Sequence, residues 1–407
     1  MVHQIMIMQL LNLLISQSLN VISDLNSKYV ESLERALSEF LLDDDDDLDL
    51  HHTRRGSQGS VACLISDAFL YFTRAVAERF NLPRFVLRTG GFSSFRVFAA
   101  FTHLHQKGYL PVQASRLEES IEELPPLRIK DLPAASSPDL ELMVELVSDM
   151  VEETKASSGL IWNSFEELEQ PALEEMRQLF SIPIFPIGPF HKYSSLASST
   201  CLISKDRNCI PWLDKQAPKS VVYVSFGSLA LLKEKELLEI AWGLSNCKHP
   251  FLLVIMPGLF GLGSEAADPL PKGIMEKLDG RGLVVQWAPQ DEVLAHCSVG
   301  AFLTHSGWNS TLESISEGVP MICMPLISDQ FANAKYVSDV WRVGLRLESL
   351  DRENVEKAVK KIMEEKEGEE IRERILELKE KATLCLKPGG SSYESFESLV
   401  NYILSPS

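Results

Sequence analysis

WAPQDEVLAHCSVGAFLTHSGWNSTLESISEGVPMICMPLISDQ, residues 287–330, decides the fold. GAFLTH is a short apolar run of the kind that forms a strand buried on both faces, and VPMICMP is a second. Between them THSGWNSTLES passes through Gly307 into a helical pattern, so the stretch reads strand, tight turn, helix, strand. That is the repeating unit of a parallel α/β sheet.

The same rhythm extends in both directions. Upstream, SVVYVSFGS (220–228) is a strand and glycine turn leading to the helix KEKELLEIAWGL, and PFLLVI and GLVVQW are further strands. Earlier still, SVACLISD (60–67) reads as a buried strand before the helix FLYFTRAVAERF, and RFVLRT as another strand. GLIWNS precedes the helix FEELEQPALEEMRQLF, for which Ser164 and Glu167 have capping-box spacing, and IPIFPIGP is a short strand. Two blocks of alternating strands and helices imply two doubly wound parallel sheets facing each other. The divisions expected are an N-terminal domain over 1–190, a linker over 191–208 with the Ser-rich SSLASST, a second domain over 209–390, and a C-terminal helix in 391–407.

Composition narrows the function. At 407 residues, with 45% hydrophobic and 24% charged residues, the chain is an ordinary globular protein long enough for two domains. A net charge of −18 argues against nucleic acid, because phosphate neutralisation needs clustered Lys and Arg. Seven scattered cysteines without CxxC spacing read as reduced thiols, so a cytoplasmic protein is expected, with no disulfide framework and no metal site. No apolar run reaches the roughly 18 residues that span a bilayer, and Ile5–Ile15 lacks the basic flank of a signal peptide, so it reads as a buried helix with no membrane insertion. The apolar spacing continues through Val30, Leu33 and Leu37. The run Asp43–Asp47 with Asp49 reads as a solvated loop, lacking the glycine that turns a calcium loop.

The chemistry of 287–330 suits a nucleotide sugar, which presents a flat base, a ribose diol, two phosphates and a ring of hydroxyls. Over its whole length the stretch resembles the signature box of plant UDP-dependent glycosyltransferases of family 1, and the resemblance runs from about Val61 to the C-terminus. It implies the GT-B fold, with UDP-sugar on the C-terminal lobe and acceptor on the N-terminal lobe. Carried over by position, Trp287 stacks on uracil and Ala288 meets the base edge through its backbone. Gln290 and Glu313 hold the ribose hydroxyls. His305, Asn309 and Ser310 contact the diphosphate at the strand-to-helix turn, and Ser228 adds a donor from the FGS turn. Trp308, Asp329 and Gln330 surround the hexose, and glutamine at the last position resembles the glucose-using members. Phe92, Ser93, Phe95 and His103 are expected on the acceptor wall. Trp242 and Trp341 read as core, and His296 as structural.

The implied activity is inverting transfer of glucose from UDP-glucose to a hydroxyl or carboxyl of a small lipophilic metabolite. UDP-glucose is then a co-substrate, with no metal or other cofactor, and the protein is expected to be a monomer. The stretch ELPPLRIKDLP (123–133) is most similar to the branch containing steviol glycoside and cytokinin glucosyltransferases. Several positions depart from the family pattern: Leu253 and Met256 replace a usual Trp and Arg, Leu303 an aromatic, Ser306 a Cys or Asn, and Gly90 and Gly91 bulkier residues.

In that family a histidine deprotonates the acceptor and an aspartate orients the imidazole. Asp67 matches the aspartate, with helix N-cap as its other reading. The histidine has no match. His3, His51 and His52 do not stand in a strand-Gly-His turn, and the chain reads as starting near the helix before the family's fourth strand. Loss of a general base costs about 10²–10⁴-fold in rate. A second reading therefore stands beside the transferase: a UDP-sugar-binding pseudoenzyme or inactive truncated form. A GT-B sugar-nucleotide epimerase is a third.

Overall fold

The computed structural model describes residues 24–42, 61–133, 140–193, 205–227, 232, 234–255 and 280–405. Ser228, Met256, the aspartate run, the SSLASST segment, His3, His51, His52 and the apolar stretch from Ile5 to Ile22 lie outside them. The described chain forms two compact units, each built on its own parallel sheet.

The first unit carries α1 (Val30–Leu42), β1 (Leu64–Asp67), α2 (Phe72–Arg79), β2 (Arg84–Arg88), α3 (Phe92–Ala99), α4 (Phe101–Gln106), α5 (Leu140–Lys155), β3 (Gly159–Trp162), α6 (Glu166–Leu179) and β4 (Ile184–Pro186). Its sheet runs β1-β2-β3-β4, parallel throughout. Trp162 anchors the core: Phe92 stacks on it at 4.4 Å and Phe95 meets it edge-on at 5.1 Å, a pairing that adds to simple area burial. The expected burial of SVACLISD holds only in part. Ile65 on β1 is 48% exposed, and β1 pairs only with β2 among the described residues.

The capping box expected at Ser164 and Glu167 does not form. Phe165 is the N-cap of α6, and the Ser164 hydroxyl instead donates to Glu169 at 2.6 Å. Pro171 lies within α6 and has no N–H to donate to the Glu167 carbonyl one turn back, and the break falls at Glu169 (φ −131°, ψ 27°). The break leaves the Glu169 carboxylate, 2% exposed, accepting the Phe92 and Ser93 N–H groups at 3.0 and 2.8 Å. Burial raises its pKa, which those hydrogen bonds oppose. A carboxylate thus satisfies the free N–H groups at the start of α3.

The second unit contains α7 (Cys209–Leu213), β5 (Val221–Ser225), α8 (Glu234–Asn246), β6 (Phe251–Val254), β7 (Gly282–Val285), α9 (Gln290–Ala295), β8 (Val299–Thr304), α10 (Trp308–Glu317), β9 (Met321–Cys323), α11 (Gln330–Lys335), β10 (Gly344–Arg346), α12 (Arg352–Glu364) and α13 (Lys366–Leu384). The sheet order is β10-β9-β8-β5-β6-β7, all parallel. β5, β6 and β8 are buried along their length, as continuous apolar runs in a parallel sheet should be. Leu253 and Leu303, where the family resemblance leads one to expect larger side chains, are fully enclosed in this core.

The domain boundaries need three corrections. Residues 112–134, placed by sequence in the N-terminal domain, belong to the second unit. Asp131, 0% exposed, pairs there with Arg346 of β10 and accepts the Arg128 N–H at 2.9 Å. The last helix, α14 (Ser391–Leu404), is not separate: Tyr402 packs on Phe85 and Phe185 at 6.0 and 5.8 Å, in the first unit. Residues 205–208, expected in a linker, are fastened to α9. The Asp206 N–H donates to the Trp287 carbonyl at 2.7 Å, and Arg207 forms two hydrogen bonds with Glu292.

Candidate functional site

The C-terminal ends of parallel strands are where α/β sheets gather ligands, and β5, β8 and β9 end here in turns rich in small and polar residues. β8 ends at Thr304, and the chain turns through His305, Ser306 and Gly307 into α10. Gly307 is the N-cap of α10 and makes no side-chain cap hydrogen bond. Ser306 takes a left-handed backbone (φ 64°), uncommon for a residue with a Cβ. Its carbonyl accepts the Asn333 amide at 3.0 Å.

Two glycines make room for the His305 ring. A Cβ on Gly307 would lie 2.4 Å from His305 Nε2, and one on Gly227, in the turn after β5, 2.7 Å from Cε1. Gly227 also has φ +69°, which side chains rarely adopt. Burial pushes the His305 pKa down to about 4, against a small upward pull from the Ser225 main chain. The ring is therefore neutral near pH 7. Nδ1 is buried without a hydrogen bond of good geometry.

A second cluster sits where α9 meets α10. Gln290 Nε2 donates to Glu313 Oε2 at 2.6 Å and to Ser310 Oγ at 3.0 Å, while its Oε1 accepts the Tyr223 hydroxyl at 3.2 Å. Tyr223 is 1% exposed and stacks on Phe302 at 4.9 Å, so the anchor is stiff. Burial raises the Glu313 pKa, and the hydrogen bond from Gln290 partly restores the charged form. Asp291 pushes it up further, and Lys205, 3.6 Å from Asp291, pulls it down.

The third cluster opens α11. Gln330 Oε1 accepts the N–H groups of Leu326 and Ile327 at 2.9 and 3.0 Å, which fixes the loop after β9. Asp329 is the N-cap of α11 and accepts the Asn333 side-chain amide at 3.0 Å.

His305, Ser310, Glu313, Asp329 and Gln330, with Gln290, Trp308 and Asn309, thus lie in one unit, on the segments that follow β7, β8 and β9. Asn309 is exposed and Trp308 is 4% exposed, its ring 6.2 Å from Trp341. Trp287 is partly exposed and Ala288 buried at the end of the loop after β7. His296 bonds Ser298 and Asp214, a structural pairing that ties α9 to α7.

On the first unit, Asp67 ends β1 and its carboxylate accepts the Phe69 N–H at 2.9 Å. It caps a turn; the N-cap of α2 is Tyr71, so the helix-cap reading fails. Phe92 and Phe95 are 0% and 1% exposed and belong to the Trp162 core, while Ser93 is buried and His103 exposed. The four residues expected on one acceptor wall therefore divide between core and surface.

Sequence reading missed Tyr223 and Asn333. Each had a signal. Strand periodicity puts Tyr223 on the face of Ser225, and Asn333 lies one helical turn beyond Asp329. Among the described residues no group of His, Cys, Asp and Glu could hold a metal ion, and no helix is long and apolar enough to cross a membrane.

Known proteins resemble this chain in sequence and in fold. Residues 47–380 match the family described as UDP-glucoronosyl and UDP-glucosyl transferase. The chain is 47% identical over 388 residues to UDP-glycosyltransferase 76B1 of Arabidopsis thaliana, covering 95% of this chain and 83% of that protein. It is also 47% identical to UDP-glycosyltransferase 76G1 of Stevia rebaudiana over 347 residues, 85% of this chain and 74% of the relative. Among solved structures, Phytolacca americana UGT2 complexed with UDP-2fluoro-glucose and pterostilbene superposes with a TM-score of 0.76 at 28% identity, covering 93% of this chain and 81% of that one. A UDP-glucose: anthocyanidin 3-O-glucosyltransferase in complex with UDP superposes with a TM-score of 0.74 at 28% identity, over 85% and 76%.

Proposed function

Because this chain belongs to the UDP-glucoronosyl and UDP-glucosyl transferase family and is a plant-type family 1 glycosyltransferase of GT-B fold acting on small metabolites, we propose that its donor is UDP-glucose. The sugar passes, with inversion, to a hydroxyl or carboxyl of a small lipophilic acceptor. The observation that carries this reading is that His305 follows β8, Ser310 and Glu313 lie in the first two turns of α10, and Gln330 opens α11 after β9, all beyond the C-terminal ends of strands of one parallel sheet.

Each cluster has a part of the donor to serve. Trp287 offers its partly exposed indole to uracil, with Ala288 at the base edge. Glu313, held by Gln290, accepts from the ribose diol. The neutral His305 ring donates to the diphosphate beside Asn309, Ser310 and the start of α10, where main-chain N–H groups and the helix dipole favour an anion. These contacts strengthen as charge grows on the departing UDP, which is the condition for catalysis rather than mere binding. Trp308, Asp329 and Gln330 face the hexose, and the acceptor oxygen attacks the anomeric carbon as the bond to UDP breaks. Asp67 matches the aspartate that orients the family's general base, a histidine for which this sequence offers no match, so the acceptor proton leaves to solvent. An acceptor already ionised, such as a carboxylate, depends least on that base.

The test is turnover of UDP-glucose with a panel of phenols, carboxylic acids and hydroxylated terpenoids, reading both UDP release and the anomeric configuration of the product. A β-glucoside is expected. UDP that quenches Trp287 fluorescence while no acceptor supports turnover identifies a binding protein instead, and retention of configuration rules out the mechanism.

A further inference from the structure

We propose that Asn333, outside the 287–330 box, is a positioning residue that couples the diphosphate-binding turn to the hexose-binding acid. The inference rests on the donor assignment above. Asn333 is 2% exposed, and its side-chain nitrogen donates two hydrogen bonds inside the site. One goes to the Ser306 carbonyl at 3.0 Å, the other to Asp329 Oδ2 at 3.0 Å. An amide nitrogen has two hydrogens, so both are spent here.

The two acceptors are not ordinary. Ser306 holds φ 64°, a conformation that costs about 1 kcal/mol or more for a residue with a Cβ and persists only where neighbours over-determine it. Its peptide orientation sets where His305 and the Gly307 N-cap lie, and so where a diphosphate is met. The Asn333 bond is the side-chain contact that pins that carbonyl. Asp329 stands at the other end of the donor. Its main-chain carbonyl accepts the Asn333 N–H at 3.0 Å and its carboxylate accepts the side chain, so the whole residue is oriented from one helical turn away. One buried side chain therefore sets the distance between the group that meets the phosphates and the group that meets the sugar.

Asn333→Ala removes both bonds, and Asn333→Ser retains a single hydroxyl donor. A hydrogen bond to a charged group contributes about 1.5–3 kcal/mol, so aiming Asp329 correctly accounts for about a tenfold or greater share of affinity. The measurement is the dissociation constant of UDP-glucose, of UDP and of uridine for folded wild type and each variant by calorimetry, with KM and kcat for UDP-glucose alongside. We expect UDP and UDP-glucose both to weaken while uridine is unchanged, and the ratio of UDP-glucose to UDP affinity to fall about tenfold in Asn333→Ala. Asn333→Ser should lie between. The double variant with Asp329→Ala should lose no further hexose affinity than Asp329→Ala alone, because Asn333 acts on the sugar through Asp329.

A purely structural side chain would lower thermal stability and leave those ratios unchanged in the folded protein; that result overturns the proposal. Additive losses in the double variant overturn the route through Asp329. Should Asn333→Ala not fold, the same ratios in Asn333→Ser decide. Wild type that binds neither UDP nor UDP-glucose overturns the donor assignment itself, an outcome distinct from unchanged ratios in the variants.

Discussion

Replacing Gly307 with alanine should separate ligand binding from stability. Gly307 has φ −62° and ψ 144°, a backbone that alanine adopts without strain. The added methyl would stand 2.4 Å from His305 Nε2 and 3.2 Å from Cδ2 and Cε1. Carbon and nitrogen in contact sit roughly 3.5 Å apart, so the ring edge must retreat by about 1 Å. It has one easy response, rotation about its side-chain torsions. The cost to folding should therefore stay near the low end of overpacking, about 1–2 kcal/mol.

Binding is less forgiving. A displacement of about 1 Å takes Nε2 out of hydrogen-bonding range, and a bond to a charged group is worth about 1.5–3 kcal/mol, so UDP should bind ~10–100-fold more weakly. Uridine, which has no phosphates, should bind within about twofold of wild type. Titration calorimetry with both ligands, plus urea unfolding of the variant, reads all three quantities. UDP affinity unchanged in a folded variant would refute the placement of His305 against the diphosphate. An equal loss for uridine would show that the methyl disturbs the whole turn instead.

Two further outcomes concern charge. Burial holds His305 near 4, below its unfolded value of 6.5, so folding favours the neutral ring and that stability is complete above about pH 6.5 and lost as pH falls toward 4. The stability gap between wild type and His305→Asn, followed by urea unfolding from pH 7 to pH 4.5, should therefore narrow on acidification; a constant gap would refute the buried neutral ring. Arg346→Met leaves Asp131 buried without its cation and should cost about 3–5 kcal/mol, most of it recovered when Asp131→Asn is added. A loss below about 1 kcal/mol in guanidinium unfolding would mean the pair does not hold residues 112–134 on the second unit.

Much of this was legible in the primary structure for a plain reason. A strand buried on both faces must be continuously apolar, and all eight segments read as strands from the sequence are present, β5 and β8 among them, while β3 occupies GLIW, read only as preceding a helix. β10, three residues long and only partly buried, carries too little pattern to be read. The start of α6 was misread because Ser164 and Glu167 had capping-box spacing, while Pro171 and the buried Glu169 placed the break elsewhere.

At the site, the residue types needed for a nucleotide sugar were visible in 287–330, since uracil, diol and phosphate each demand a distinct chemistry. Their spacing along one strand–turn–helix unit is local, and local spacing is what a sequence encodes directly. Contacts between residues far apart in the chain are set by how the elements pack. Only the fold could bring Tyr223 to Gln290, 67 positions away, or Arg346 to Asp131, 215 positions away. The fold likewise drew Phe92 and Phe95 into the Trp162 core, and converted Asn333 from one more polar residue on a helix into the side chain that joins Ser306 to Asp329.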